Sequence, residues 1–128
     1  MTTKTIEELN LITDKIIKIA IEVHRTLGPG LLESIYEKAM CHELRTDGIH
    51  FANQVVIPIL YKGVNLGEQR LDLLVENEVI VEFKAVDRMD PVFKAQVLSY
   101  LKLTGKKLGL LINFNVPILK EGIQRVIL

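Results

Sequence analysis

Asp72 is followed, after nine intervening residues, by Glu82-Phe83-Lys84, and these three charged side chains are spaced to act together. The segment between them is apolar and strand-like on both sides of Asn77. A hairpin turning at Asn77 sets Asp72 directly opposite Glu82. Side chains alternate faces along a strand, so Glu82 and Lys84 share one. The same alternation groups Arg70, Asp72, Glu82 and Lys84 on one side. Leu71, Leu73, Val75, Val79, Val81, Phe83 and Ala85 fall on the other. Two carboxylates facing each other across a sheet repel, and a divalent cation offsets that repulsion. Mg²⁺ takes oxygen ligands and is usually held by one or two carboxylates with water and phosphate, so Mg²⁺ or Mn²⁺ is the expected ion. Lys84 beside it would orient an attacking water or neutralise phosphate. That set suits metal-assisted phosphodiester hydrolysis. The same residues also suit a solvated hairpin face with Lys84 as a counter-ion.

The flanking chain supplies elements to hold such a hairpin. Thr5 and Glu8 match a capping box, and Leu9, Ile12, Ile16, Ile19, Ala20, Val23 and Leu27 recur at helical spacing. Gly28-Pro29-Gly30 ends that helix, and a second runs from about Leu31 to Asp47. Three strands follow, near Gln54–Tyr61, Glu68–Val75 and Val79–Ala85, with turns at Lys62-Gly63 and Asn77. Asp90 and Pro91 give an N-cap and a first-position proline to a third helix, which reaches about Leu103 and is closed by Gly105. Leu108–Phe114 is a near-continuous apolar run and reads as a buried strand, with Ile123–Ile127 as a last edge strand. The order predicts an α/β fold with a mixed sheet flanked by helices, the third helix crossing over between parallel strands.

Composition narrows the class. At 128 residues and 48% apolar, the chain is read as one folded domain spanning 1–128 and not as a disordered segment. Sixteen basic residues balance 16 acidic ones, which excludes a nucleic-acid coat driven by net charge but leaves room for a local basic groove. Cys41 is the only cysteine, so neither a disulfide framework nor a thiolate cluster exists, and a cytoplasmic location is expected. No segment reaches the roughly 20 apolar residues of a membrane span, and no signal peptide is visible. His24, His42 and His50 lack a common ligand spacing.

Two further features fall where such a site needs them. Gln96 and Tyr100 are four apart on the third helix and share a face. Glu33 stands in the first turn of the second helix, within Gly30-x-x-Glu33-x-x-Tyr36. That segment, the Asp72…Glu82-Phe83-Lys84 hairpin, Gln96-x-x-x-Tyr100 and the run from Gly109 to Asn115 resemble the small GxxExxY proteins of the PD-(D/E)XK nuclease superfamily. The resemblance covers about Ile16 to Leu128. It implies a restriction-endonuclease-like αβββαβ core with an extra N-terminal helix, and a Mg²⁺ site. Asp72 and Glu82 become metal ligands, Lys84 the catalytic lysine, and Glu33 a further ligand or a contact behind the ligands. Gln96 and Tyr100 match the helix that helps place substrate. Leu71 stands where the superfamily name implies a proline.

Two functions from different classes fit. The first is a metal-dependent nuclease acting on DNA or RNA. The second is a non-catalytic nucleic-acid- or protein-binding module on the same fold. The small size suits a homodimer or a subunit that works with a protein partner.

Overall fold

Thr5 starts the first helix as its sequence predicts. Its hydroxyl accepts the Glu8 N–H at 3.1 Å, and the Glu8 carboxylate accepts the Thr5 N–H at 3.2 Å. In this computed structural model, which describes residues 3–128, the first two residues of the expected domain lie outside the described part. Helix α1 runs over Ile6–Leu27 and stops at Gly28, whose φ of 71° favours glycine. Helix α2 spans Glu33–Thr46, beginning later than Leu31. The delay has a visible cause. The Tyr36 hydroxyl donates to the Gly28 carbonyl at 2.6 Å and accepts the Leu31 N–H at 3.1 Å, which holds 28–31 as a loop.

Strands β1 (Phe51–Tyr61) and β2 (Val64–Val75) are longer than their apolar runs. Lys62 and Gly63 both take positive φ, 49° and 81°, in a two-residue turn whose twist matches the strands it joins. Pairing propagates from that turn through Asn65 and Asn53, residues with little strand preference of their own. A second turn, with Glu76 and Asn77 at φ 53° and 55°, leads into β3 (Val79–Lys84). Asp90 caps helix α3 (Pro91–Thr104) by accepting the Val92 N–H at 2.9 Å. Strands β4 (Leu108–Asn113) and β5 (Ile123–Ile127) complete a sheet of order β1-β2-β3-β4-β5. Only β3 and β4 pair in parallel, and α3 is the crossover between them. This is the expected α/β arrangement of a mixed sheet flanked by helices, with an additional N-terminal helix.

Each face of the sheet has its own core. Helices α1 and α2 cover one, where Ile16, Ala20, Tyr36 and Met40 meet Leu73, Val81, Phe83 and Phe114. Helix α3 covers the other, where Val97, Tyr100 and Leu101 meet Ile57, Ile80 and Leu111. Gly109 on β4 lets α3 approach closely, because a Cβ there would stand 2.7 Å from Val97 Cγ1. Leu71 corrects the simple alternation. It packs on the α3 side, whereas Leu73, two residues on, packs on the α1–α2 side. Gln69, also on the α3 side, bonds Tyr100, so Arg70 between Gln69 and Leu71 faces away and does not join the charged group. The strand changes face at Asp72, opposite Gln54, which has a φ of 52°.

Tyr36 is fully buried and stacks on Phe114 with centroids 4.4 Å apart and planes within 4°. Tyr36→Phe keeps the stack and removes only the two hydroxyl bonds that shape the loop before α2. We expect a stability loss of about 1–3 kcal/mol with an unchanged denaturant m-value. Urea unfolding of the two proteins measures it, and equal midpoints would show that the hydroxyl holds nothing.

Candidate active site

The β2–β3 ladder ends at the pair Leu73–Val81. One step further, side chains replace it. Glu82 Oε2 accepts the backbone N–H of Asp72 at 2.6 Å, and Asp72 Oδ2 accepts the backbone N–H of Phe83 at 2.8 Å. Each carboxylate thus occupies an N–H of the opposite strand, and the strands part at this point. The arrangement answers part of the repulsion between facing acids, because a carboxylate that accepts an N–H is stabilised as an anion. It also leaves one oxygen of Glu82 with no hydrogen bond among the described residues. Asp72 Oδ1 has only a long contact, 3.5 Å, from Gln54 Nε2.

Glu82 and Lys84 lie on the α3 side of β3 with Ile80, as their spacing requires. Lys84 forms no ion pair among the described residues. Its Nζ stands 4.4 Å from the centroid of Phe93, in the first turn of α3, as a cation–π contact. The backbone under Lys84 is held from β4. Its carbonyl accepts the Phe114 N–H at 2.9 Å. The buried Asn113 side chain brackets Val86, accepting its N–H at 3.1 Å and donating to its carbonyl at 2.9 Å. Asn115 Nδ2 then donates to Asp87 Oδ1 at 2.8 Å. Asn113 therefore does more than end a strand. Phe93 and Asn113 were not singled out by spacing. The available signal for Asn113 was a carboxamide at the end of a wholly apolar strand.

Glu33 comes to the same place from the first residue of α2, where its charge acts on Asp72, Glu82 and Lys84. Glu37, one turn later, is a residue that the sequence reading missed, although its four-residue spacing from Glu33 was visible. Its carboxylate oxygens accept Gln54 Nε2 at 2.9 and 3.1 Å. Tyr100 reaches the site from α3, with its hydroxyl 3.4 Å from Gln69 Oε1. Gln96 lies one turn before it on the same side of α3, between Tyr100 and Phe93.

Burial is the main force on these acids. It pushes Glu82 up to about 8, helped by the charge of Asp72 and opposed by the Asp72 N–H and Lys84. Asp72 is also raised by burial, against the Phe83 N–H and Lys84. Loss of part of its hydration raises Glu33, with Lys84 pulling the other way and Asp72 and Glu37 adding to the rise. Glu37 and the Tyr100 hydroxyl are raised as well, burial first in both. A cation held by Asp72 and Glu82 would favour their charged forms and oppose the effect of burial.

No three His, Cys, Asp or Glu side chains among the described residues converge closely enough to hold an ion. Asp72, Glu82 and Glu33 therefore form no closed three-carboxylate cage. The donor set is two carboxylates, each anchored through one oxygen, with the other free in Glu82 and weakly held by Gln54 in Asp72. This fits a hard cation that keeps most of its water, and it does not fit a closed tetrahedral site.

The family model of the PD-(D/E)XK nuclease superfamily matches residues 10–126, and the chain belongs to that superfamily. Its sheet and helices are those of the restriction-endonuclease-like fold. A comparison with curated proteins gives no match. Among the described residues no helix is long and apolar enough to cross a membrane.

The raised Glu82 carboxyl has a consequence for stability. In the unfolded chain the group ionises near 4.5, and in the fold near 8. The folded state thus holds a proton that the unfolded state releases. Stability is full below about pH 4.5 and falls as pH rises through about 8. Asp72, Glu33 and Glu37 are shifted in the same direction and add to the fall. With a chelator present, the melting temperature should drop across this window, and Glu82→Gln should flatten the drop. An identical slope in the variant would remove Glu82 as its source.

Proposed function

We propose that this protein is a divalent-metal-dependent nuclease, with Mg²⁺ or Mn²⁺ as its ion and a nucleic-acid strand as its substrate. The observation that supports it most is the pair Asp72 and Glu82, locked by backbone N–H groups, with one Glu82 oxygen open and the second Asp72 oxygen held only by a long contact from Gln54. These two residues would hold the cation, and Glu33 would bond its water shell. Bound there, the cation supplies Lewis-acid activation of water and charge stabilisation at the phosphate. Lys84 orients the attacking water or sits against the phosphate oxygens. The Phe93 ring keeps the ammonium close without letting it pair with the carboxylates. Tyr100 and Gln96 place the strand. The Gly30, Glu33 and Tyr36 spacing also supports membership of the GxxExxY group, because Tyr36 ties down the loop from which Glu33 emerges. The lone cysteine, Cys41, is free and buried, which supports work in a reducing cytosol.

Mn²⁺ should bind the wild-type protein and raise its melting temperature, since a ligand of the native state alone stabilises by mass action. Asp72→Asn and Glu82→Gln should each lose most of that gain. Calorimetric titration gives the affinity directly, and no binding at millimolar Mn²⁺ would end the metal reading. Lys84→Ala should keep Mn²⁺ binding and lower cleavage by roughly 10²-fold, about 2.7 kcal/mol of barrier. Single-stranded and duplex DNA and RNA are the substrates to compare. Bound metal without cleavage of any of them would favour the non-catalytic module, acting with a second copy or a protein partner.

A further inference from the structure

A cleft of about 490 Å³ runs between α3 and the β1–β2 hairpin. Tyr100 lines it, and the same residue lies near Glu82 and Asp72, so the cleft opens beside the carboxylates. Ile59 and Leu103 give it aliphatic walls. Gln69, Gln96 and Ser99 bring two carboxamides and a hydroxyl, and Lys102 stands at the rim. No carboxylate among the described residues lines it. Its one charged lining residue is Lys102.

Those walls suit a flat apolar body with donors and acceptors on its edge. A nucleobase has that form. Carboxamides carry both a donor and an acceptor, so they pair with base edges in two directions. An ammonium at the rim suits the backbone phosphate that accompanies the base. A base enters such a cleft only when its pairing edge and stacking face are free.

Resting on the nuclease reading above, we propose that this cleft holds an unpaired nucleobase of the nucleotide next to the scissile phosphate, and that the substrate is therefore a single strand or a frayed end. The hairpin contributes Gln69 and Ile59 to recognition, and α3 contributes Gln96 and Ser99. Duplex nucleic acid is excluded from the cleft because its bases are paired and stacked.

Fluorescence anisotropy of a labelled mixed-sequence strand, as DNA and as RNA, and of its blunt duplex tests this. Ca²⁺ replaces Mg²⁺ to hold the metal site without turnover. The single strand should bind at least about tenfold more tightly than the duplex, the effect of one base's contacts. Ser99→Phe, at an exposed position, fills the cleft and should abolish that preference while leaving Mn²⁺ affinity unchanged. Gln69→Ala should weaken single-strand binding and leave duplex binding unaltered. Equal affinity for strand and duplex, no binding of the strand, or a Ser99→Phe protein that retains the preference would each overturn the proposal. Mn²⁺ binding by the wild type is scored separately, so loss of the cleft reading leaves the metal reading standing or falling on its own result.

Discussion

Asp72 and Glu82 each accept a backbone N–H from the strand that carries the other, at 2.8 and 2.6 Å. This reciprocal lock lets two acids sit face to face in a largely buried fork. It also ends the β2–β3 ladder without leaving those N–H groups unsatisfied, which inside a protein would be costly. Everything charged at the site is arranged around it. Lys84 follows from Glu82 by the two-residue period of the strand. Gln54, across from Asp72, links that carboxylate to Glu37 on α2.

The fork is held from outside by one aromatic residue. Phe114, buried just past β4, stacks on Tyr36, lies 5.9 Å from Phe83 and donates its N–H to the Lys84 carbonyl. Tyr36 in turn fixes the loop that delivers Glu33. His24 adds a bond from its ring Nε2 to the Val116 carbonyl at 2.7 Å, tying α1 to the segment after β4. Glu33 and Lys84 come from different elements, yet both positions are referred to the same ring. Aromatic packing in the α1–α2 core thereby sets charged geometry around β3, the central strand of the sheet.

The electrostatic state of the site follows from this rigidity. Four acids are gathered where hydration is reduced, and all four hold their protons more tightly than free carboxyls do. Lys84 moderates three of them without pairing, because Phe93 offers its ammonium a second place to rest. A chain of zero net charge thus gathers four acidic groups at one point.

Local pattern determined much of this protein. The caps at Thr5 and Asp90, the Lys62-Gly63 turn, the apolar run of β4 and the period-2 spacing of Glu82 and Lys84 all depend on neighbours in the chain, and they stand in the structure as read. The register that opposes Asp72 to Glu82 was legible for the same reason, since a hairpin's turn sets its pairing. Only the tertiary structure decided that the strands part there, that Leu71 and Leu73 pack on opposite faces, and that Arg70 points away. Those outcomes come from a positive-φ residue, Gln54, on the neighbouring strand, and from side chains taking over a backbone ladder. Phe93 and Asn113 were hidden likewise, and the spacing that sets Glu37 beside Glu33 did not reveal its partner. Their contacts to Lys84, Val86 and Gln54 join segments far apart in the chain, and no spacing in the sequence records which distant backbone or ring a side chain will meet.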